Sequence, residues 1–257
     1  MKKLITPDVT LYRALKKVAA EYPQRPAVTY GDQTITFTEL VKQVDGLAQG
    51  LHNLGVKAGD KVVTILPNSL ETVYSFFAPS ALGAVIVPLN PLYRQREFAH
   101  ILEDAEASVV IAAPNHMGND IQDILKTLKP SLPHLEHIIL KGDASAGFIR
   151  FSDLNWDGPP LPSNSVSPSD LCALVYTSGT TGMPKAVMHS HASMLSAVAQ
   201  AEDKINVPIL RKLWEFLQLL FKYDTRYIRY GFKQFSFFVP TAMHSLIGYA
   251  GLIYGLL

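Results

Sequence analysis

Hydrophobic positions alternate between two rhythms from the start of the chain. Leu11, Leu15, Val18 and Ala19 recur at helical spacing, and Pro23 ends the helix they predict. Phe37, Leu40, Val41, Val44, Leu47, Leu51 and Leu54 make a longer helical stripe. Thr36 and Glu39 have capping-box spacing at its start, and Gly55 suits its end. Lys61 to Leu66 is a short apolar strand. Asn68 and Glu71, again at capping-box spacing, open the next helix, which Pro79 should kink or end. Ala84 to Leu89, Ser108 to Ala113 and His137 to Leu140 are strand-like, while Arg94 to Glu106 and Asn119 to Leu128 read as helices. Leu171 to Tyr176 is a buried-strand run, and a strand resumes at Ala186-Val187-Met188.

Alternating β and α elements with continuous apolar strands predict an α/β fold, with layered, mainly parallel sheets covered by helices. Residues 157–170, rich in Pro and Ser, read as a loop or sub-domain joint. No internal repeat or long low-complexity segment interrupts the pattern.

Composition narrows the picture. The chain has 257 residues, 48% hydrophobic and 18% charged, which suits a globular protein with a sizeable core. A formal net charge of +1 gives no reason to expect a nucleic-acid partner. The single cysteine, Cys172, excludes an internal disulfide and sits in an apolar run outside any metal-binding pattern, so it reads as a buried structural thiol. The apolar run after Met1-Lys2-Lys3 is too short for a signal-peptide core. The nearest approach to a spanning helix, Val239 to Leu257, carries His244 and three glycines and reads as a buried segment. A cytoplasmic location is therefore expected.

One loop carries the chemistry. After the strand ending at Tyr176 come Thr177, Ser178, Gly179, Thr180, Thr181 and Gly182, then Met183-Pro184-Lys185. Four hydroxyl side chains can donate to phosphate oxygens, and the two glycines allow positive φ and close backbone approach. Successive backbone N–H groups can form an anion-binding nest, and Lys185 adds a positive charge. The string is not a Walker loop, because Pro184 precedes the lysine and no Ser or Thr follows it. Without its apolar flanks it would read as a hydroxyl-rich surface turn.

The ten residues from Tyr176 to Lys185 resemble the phosphate-binding signature of the AMP-binding, adenylate-forming superfamily of acyl-CoA synthetases and aryl-CoA ligases. Gly59-Asp60-Lys61-Val62, Leu66-Pro67-Asn68-Ser69, Gly83-Ala84-Val85 and Pro88-Leu89-Asn90-Pro91 resemble that family's early blocks, in order. Tyr93-Arg94, leading into Glu97 and His100, does too. These blocks are mainly scaffold in the family. The likeness runs from about Thr10 to about Ile205, which implies the N-terminal part of the adenylation domain within residues 8–257. It implies ATP-dependent conversion of a carboxylic acid into an acyl-adenylate and then, with coenzyme A, a thioester, with Mg2+ assisting. By the same resemblance, residues Thr177 to Gly182 with Lys185 bind the ATP phosphates, and Lys185 is a catalytic candidate. Ala186 stands where the family usually has Gly, a change that strand geometry tolerates.

Two histidine features remain. His189 and His191 lie two apart, which on a strand puts both rings on one face and raises a metal site. No further ligand is apparent nearby, and the family has a structural Ser-His pair matching Ser190-His191. Val239 to His244 resembles the family's next block, making His244 the second catalytic candidate; read on its own, it is a core histidine on an apolar helix.

Residues 207–238 form a stretch in which none of the family's blocks is recognisable. Arg211, Glu215, Gln218 and Lys222 form a polar helical stripe, and Lys222, Arg226, Arg229 and Lys233 a basic one interleaved with tyrosines. A packed helical insertion, a retained intron or a frame error is the expected reading of such a segment, with contact to a membrane surface or to nucleic acid as the alternative. The family's later blocks, including the Glu that binds Mg2+, do not occur in these residues. Two expectations follow: an acid–CoA ligase fragment inactive alone, its acid fatty, apolar or alicyclic, or a non-catalytic remnant that binds a partner or membrane through residues 207–238.

Overall fold

The structure, a computed structural model, describes residues 6–144, 147–154, 156, 161, 166–177 and 182–197. Ser178, Gly179, Thr180, Thr181, His244 and the segment 207–238 lie outside these described residues.

Helix α1 (Leu11–Glu21) is capped by Thr10, whose hydroxyl accepts from the Arg13 N–H at 3.3 Å. A hairpin the hydrophobic pattern did not reveal follows: β1 (Pro26–Tyr30) pairs with β2 (Gln33–Thr36) across a turn in which Gly31 takes φ +58°. Helix α2 (Phe37–Asn53) has the expected capping box. The Thr36 hydroxyl accepts from the Glu39 N–H at 3.3 Å, and the Glu39 carboxylate accepts from the Thr36 N–H at 2.7 Å. Its far end is a Schellman turn: Val56 N–H donates to Leu51 C=O, Gly55 N–H donates to His52 C=O, and Gly55 adopts φ +92°.

Strand β3 (Lys61–Ile65) leads into helix α3 (Leu70–Leu82). Its N-cap is Ser69, one residue later than the Asn68–Glu71 spacing indicated, and the Ser69 hydroxyl accepts from the Thr72 N–H. Glu71 instead binds Lys141 at 2.7 Å, tying α3 to a segment 70 residues further along the chain. Pro79 does not end this helix, which continues to Leu82 and stops at Gly83, φ +73°. A proline's fixed φ is itself helical, and only one backbone bond is lost. Burial of every residue from Thr72 to Ser80 holds the segment helical despite that loss.

Next come β4 (Val85–Pro88), α4 (Gln95–Asp104) and β5 (Ala107–Ala112). A two-stranded pair, β6 (Asn115–His116) and β7 (Asn119–Asp120), precedes α5 (Ile121–Leu128). The helix expected from Asn119 therefore begins at Ile121, with Asp120 as its cap, because Asn119 is held in the pair. Strands β8 (His137–Leu140), β9 (Ile149–Arg150), β10 (Leu171–Thr177) and β11 (Lys185–Ser190) complete the described elements, followed by a helical stretch over 191–197.

The main sheet runs β11-β10-β4-β3-β5-β8-β9. Every neighbouring pair is parallel except β10 with β11. The period-two alternation of a strand sorts its side chains between two cores. Val62, Ile86, Val109 and Ile111 pack with α1, α2 and α3, while Val63, Val87, Val110 and Ala112 pack with α4 and α5. The mainly parallel, helix-covered architecture is the expected one.

This topology matters for the site. The adjacent strands β3 and β4 send their chains to opposite faces, through α3 and α4. Such a reversal opens a crevice at the carboxyl ends of parallel strands, where ligands of open α/β sheets bind. Strand β10 lies beside β4, so its carboxyl end borders that crevice.

Candidate functional site

The phosphate-type loop joins β10 to β11 at that edge. The register sets Thr177 directly opposite Lys185, so the first hydroxyl residue and the lysine face each other across the root of the hairpin. Both are exposed. Gly182, at φ +158°, has open space where a Cβ would stand. Ala186 pairs with Tyr176 and packs on the second core, so the residue at the position where glycine is usual is accommodated in the strand.

Helix α4 holds both legs of this hairpin. On the β10 side, the buried Tyr176 hydroxyl donates to the Asp104 carboxylate at 2.6 Å. Burial and the nearby Asp104 charge push the phenol far above its ordinary pKa, so it is a fixed donor at any physiological pH. On the other side, His100 Nε2 lies 3.0 Å from the carbonyl oxygen of Pro184, the residue before Lys185. A carbonyl only accepts, so His100 carries its proton on Nε2. These contacts were not read from the sequence, although His100 and Asp104 are four apart, the spacing that puts two side chains on one helical face. The helix is anchored at its other end too. Arg94 donates to the side-chain oxygen of the buried Asn119, whose amide group donates to the carbonyls of Pro91 and Tyr93.

The histidine pair differs from the strand geometry expected of it. Strand β11 ends at Ser190, and His191 opens the helical stretch, which the Ser190 hydroxyl caps by accepting from the Ser193 N–H at 3.1 Å. The two rings therefore do not share one strand face. His191 is fully buried, and its Nδ1 accepts from the Leu11 N–H, a first-turn donor of α1, at 3.2 Å. Desolvation pushes its pKa down to about 4 against a weaker upward pull from Asp170. His189, half-buried, is also shifted downward by desolvation. Among the described residues, no group of three or more His, Cys, Asp or Glu comes together.

Cys172 is buried as expected, with its thiol pushed up to about 12 by desolvation and its Sγ 3.6 Å from Met194 Sδ. Among the described residues, no helix is long and apolar enough to cross a membrane. An open cleft of about 630 Å³ lined by Asp32, Thr34, Glu71, Tyr74 and Phe151 shares no residue with the hairpin.

The arrangement offers an anion a cation, a hydroxyl and a turning backbone at the carboxyl edge of a parallel sheet, and a polyphosphate fits that donor set. Comparisons with known proteins point the same way. A 4-coumarate–CoA ligase of Narcissus pseudonarcissus is 33% identical over 72% of this chain and 34% of its own length. The 2,3-dihydroxybenzoate–AMP ligase of Bacillus subtilis (strain 168) is 34% identical over 74% of this chain and 34% of its own. The crystal structure of the anthranilate CoA ligase AuaEII in complex with anthranoyl-AMP superposes with a TM-score of 0.67 at 28% identity, covering 75% of this chain and 37% of that one. The chain thus spans about a third of the length of the curated relatives it matches. The profile described as AMP-binding enzyme matches residues 15–231, most of the chain, and with the sheet, the hairpin and these relatives in agreement, the chain belongs to the AMP-binding enzyme family.

Proposed function

We propose that this chain is the N-terminal part of an adenylation domain, within residues 8–257, and that its β10–β11 hairpin binds the phosphates of ATP. The observation that carries the reading is the register that sets Thr177 across from Lys185 at the carboxyl edge of the sheet. Thr177, Ser178, Gly179, Thr180, Thr181 and Gly182 supply hydroxyl and backbone donors, and Lys185 neutralises charge that builds on the phosphates during transfer. In the whole protein, a carboxylate attacks the α-phosphate and releases pyrophosphate, leaving an acyl-adenylate. The thiol of coenzyme A then displaces AMP. Mg2+ bound with the nucleotide would add charge stabilisation at the phosphates, beside Lys185. His244 serves the acyl side of the adenylate.

Two classes of acid have support. The apolar sequence around His244 supports aliphatic or alicyclic acids, and the names of the relatives, 4-coumarate, 2,3-dihydroxybenzoate and anthranilate, support aromatic ones. A panel of both classes in acid-dependent pyrophosphate exchange by the whole protein separates them.

The hairpin itself is tested by equilibrium binding of MgATP to the chain. Lys185→Ala should weaken binding by about tenfold, the value of one charge-assisted contact. Equal affinity of Lys185→Ala and the parent, or no binding by the parent at millimolar ATP, would sink the reading.

A further inference from the structure

We propose that helix α4 is the positioning element of the phosphate hairpin, with His100 and the Tyr176–Asp104 pair as positioning residues. The inference rests on the reading of the hairpin as a phosphate site. The geometry behind it is specific. Among the described residues β11 pairs with β10 alone, at the edge of the sheet, and it exposes Val187 and Met188. The root of the hairpin therefore needs a second support if Lys185 is to stand at a fixed place over the crevice. Helix α4 supplies that support at two points, one on each leg.

The two contacts are placed where they act on the lysine. Tyr176 immediately precedes Thr177, and Pro184 immediately precedes Lys185. His100 and Asp104 stand one helical turn apart, while Phe98, Ile101 and Leu102 of the same helix are buried in the second core. The helix is thus anchored in the core by one face and grips the hairpin with another. Pro184 cannot donate a backbone hydrogen bond, and its carbonyl is the group His100 takes. Neither His100 nor Asp104 touches the phosphates. Both act by fixing where Thr177 and Lys185 stand, and misplacement of a charged donor by a fraction of an ångström is costly for phosphate stabilisation.

The test has two arms on the full chain. The first is hydrogen exchange without ligand. His100→Leu and Tyr176→Phe should speed exchange of the amides over Lys185–Val187 while leaving those of Val62–Thr64 in β3 unchanged. His100→Gln, which keeps a donor near the Nε2 position, should restore the parent rate, and Asp104→Asn, which keeps an acceptor, should do the same for the other contact. The second arm is MgATP binding, where His100→Leu should weaken affinity by about fivefold and His100→Gln should recover it. Unchanged hairpin exchange in His100→Leu and Tyr176→Phe overturns the proposal whether or not ATP binds. So does acceleration spread equally over β3, which marks general destabilisation. A parent chain that binds no ATP overturns the phosphate reading instead, and the exchange arm still decides whether α4 holds the hairpin.

Discussion

His191 shows how much one side chain contributes to this chain's behaviour. The imidazole is fully buried, caps the first turn of α1 through Nδ1, and must stay neutral to do so. Its folded pKa is lowered from 6.5 to about 4, so the unfolded chain binds the extra proton first as pH falls. The stabilisation is complete above pH 6.5, declines between 6.5 and about 4, and is lost below that. Over the full window the shift is worth on the order of 3 kcal/mol. His191→Asn keeps an acceptor for Leu11 but cannot titrate. Urea denaturation at pH 7.5 and pH 4.5 should show a loss of stability in the parent that the variant lacks in large part. Equal losses in both would assign the acid sensitivity elsewhere. The same residue explains the Ser190-His191 pair without a metal: Ser190 starts the helical stretch, and His191 joins it to α1.

At the level of elements, the close approach of α2 to the aromatic pair Phe151–Trp156 is the tightest packing constraint the glycines reveal. A Cβ on Gly46 would stand 2.4 Å from the Trp156 ring, which itself packs edge-on against Phe151. Ala would normally improve a helix interior, but this clash outweighs the gain. Gly46→Ala should therefore lower stability by about 1–3 kcal/mol in chemical denaturation. A stabilised Gly46→Ala would mean that the ring can turn aside. Helices α1, α2 and α5 were legible because each carries a periodic apolar face with nearby caps or breakers, as in Thr36 with Glu39 and Gly55, and strands β3, β5, β8 and β10 because each is a nearly continuous apolar run. The β1–β2 and β6–β7 pairs were not, because their residues are mostly exposed or half-buried and give no continuous apolar run. Pro79 does not end its helix because a local rule is overridden by burial on all sides. The hairpin's phosphate character was legible in its residues. Its support by His100 and Asp104 was not, since those contacts span 84 and 72 residues and no spacing rule reaches that far.

The whole described fold turns on β10. It links the switch-point strand β4 to the edge strand β11, carries core residues on both faces, and ends in the candidate site. Membership of the AMP-binding enzyme family agrees with that placement. Strand β10 also contains the chain's single sulfhydryl, only 2% exposed and with its pKa raised to about 12. A thiol in that state is almost wholly protonated at pH 8 and out of reach of a disulfide reagent. The folded chain should therefore give no colour with a chromogenic disulfide over minutes, and one equivalent on unfolding. Immediate reaction of the native protein would contradict the burial. If the expectation holds, the chain carries a built-in counter of its own opening: the reagent reads the fraction of molecules in which β10 has come loose. A cysteine introduced at exposed Met117 could be labelled alone, without first removing the natural one.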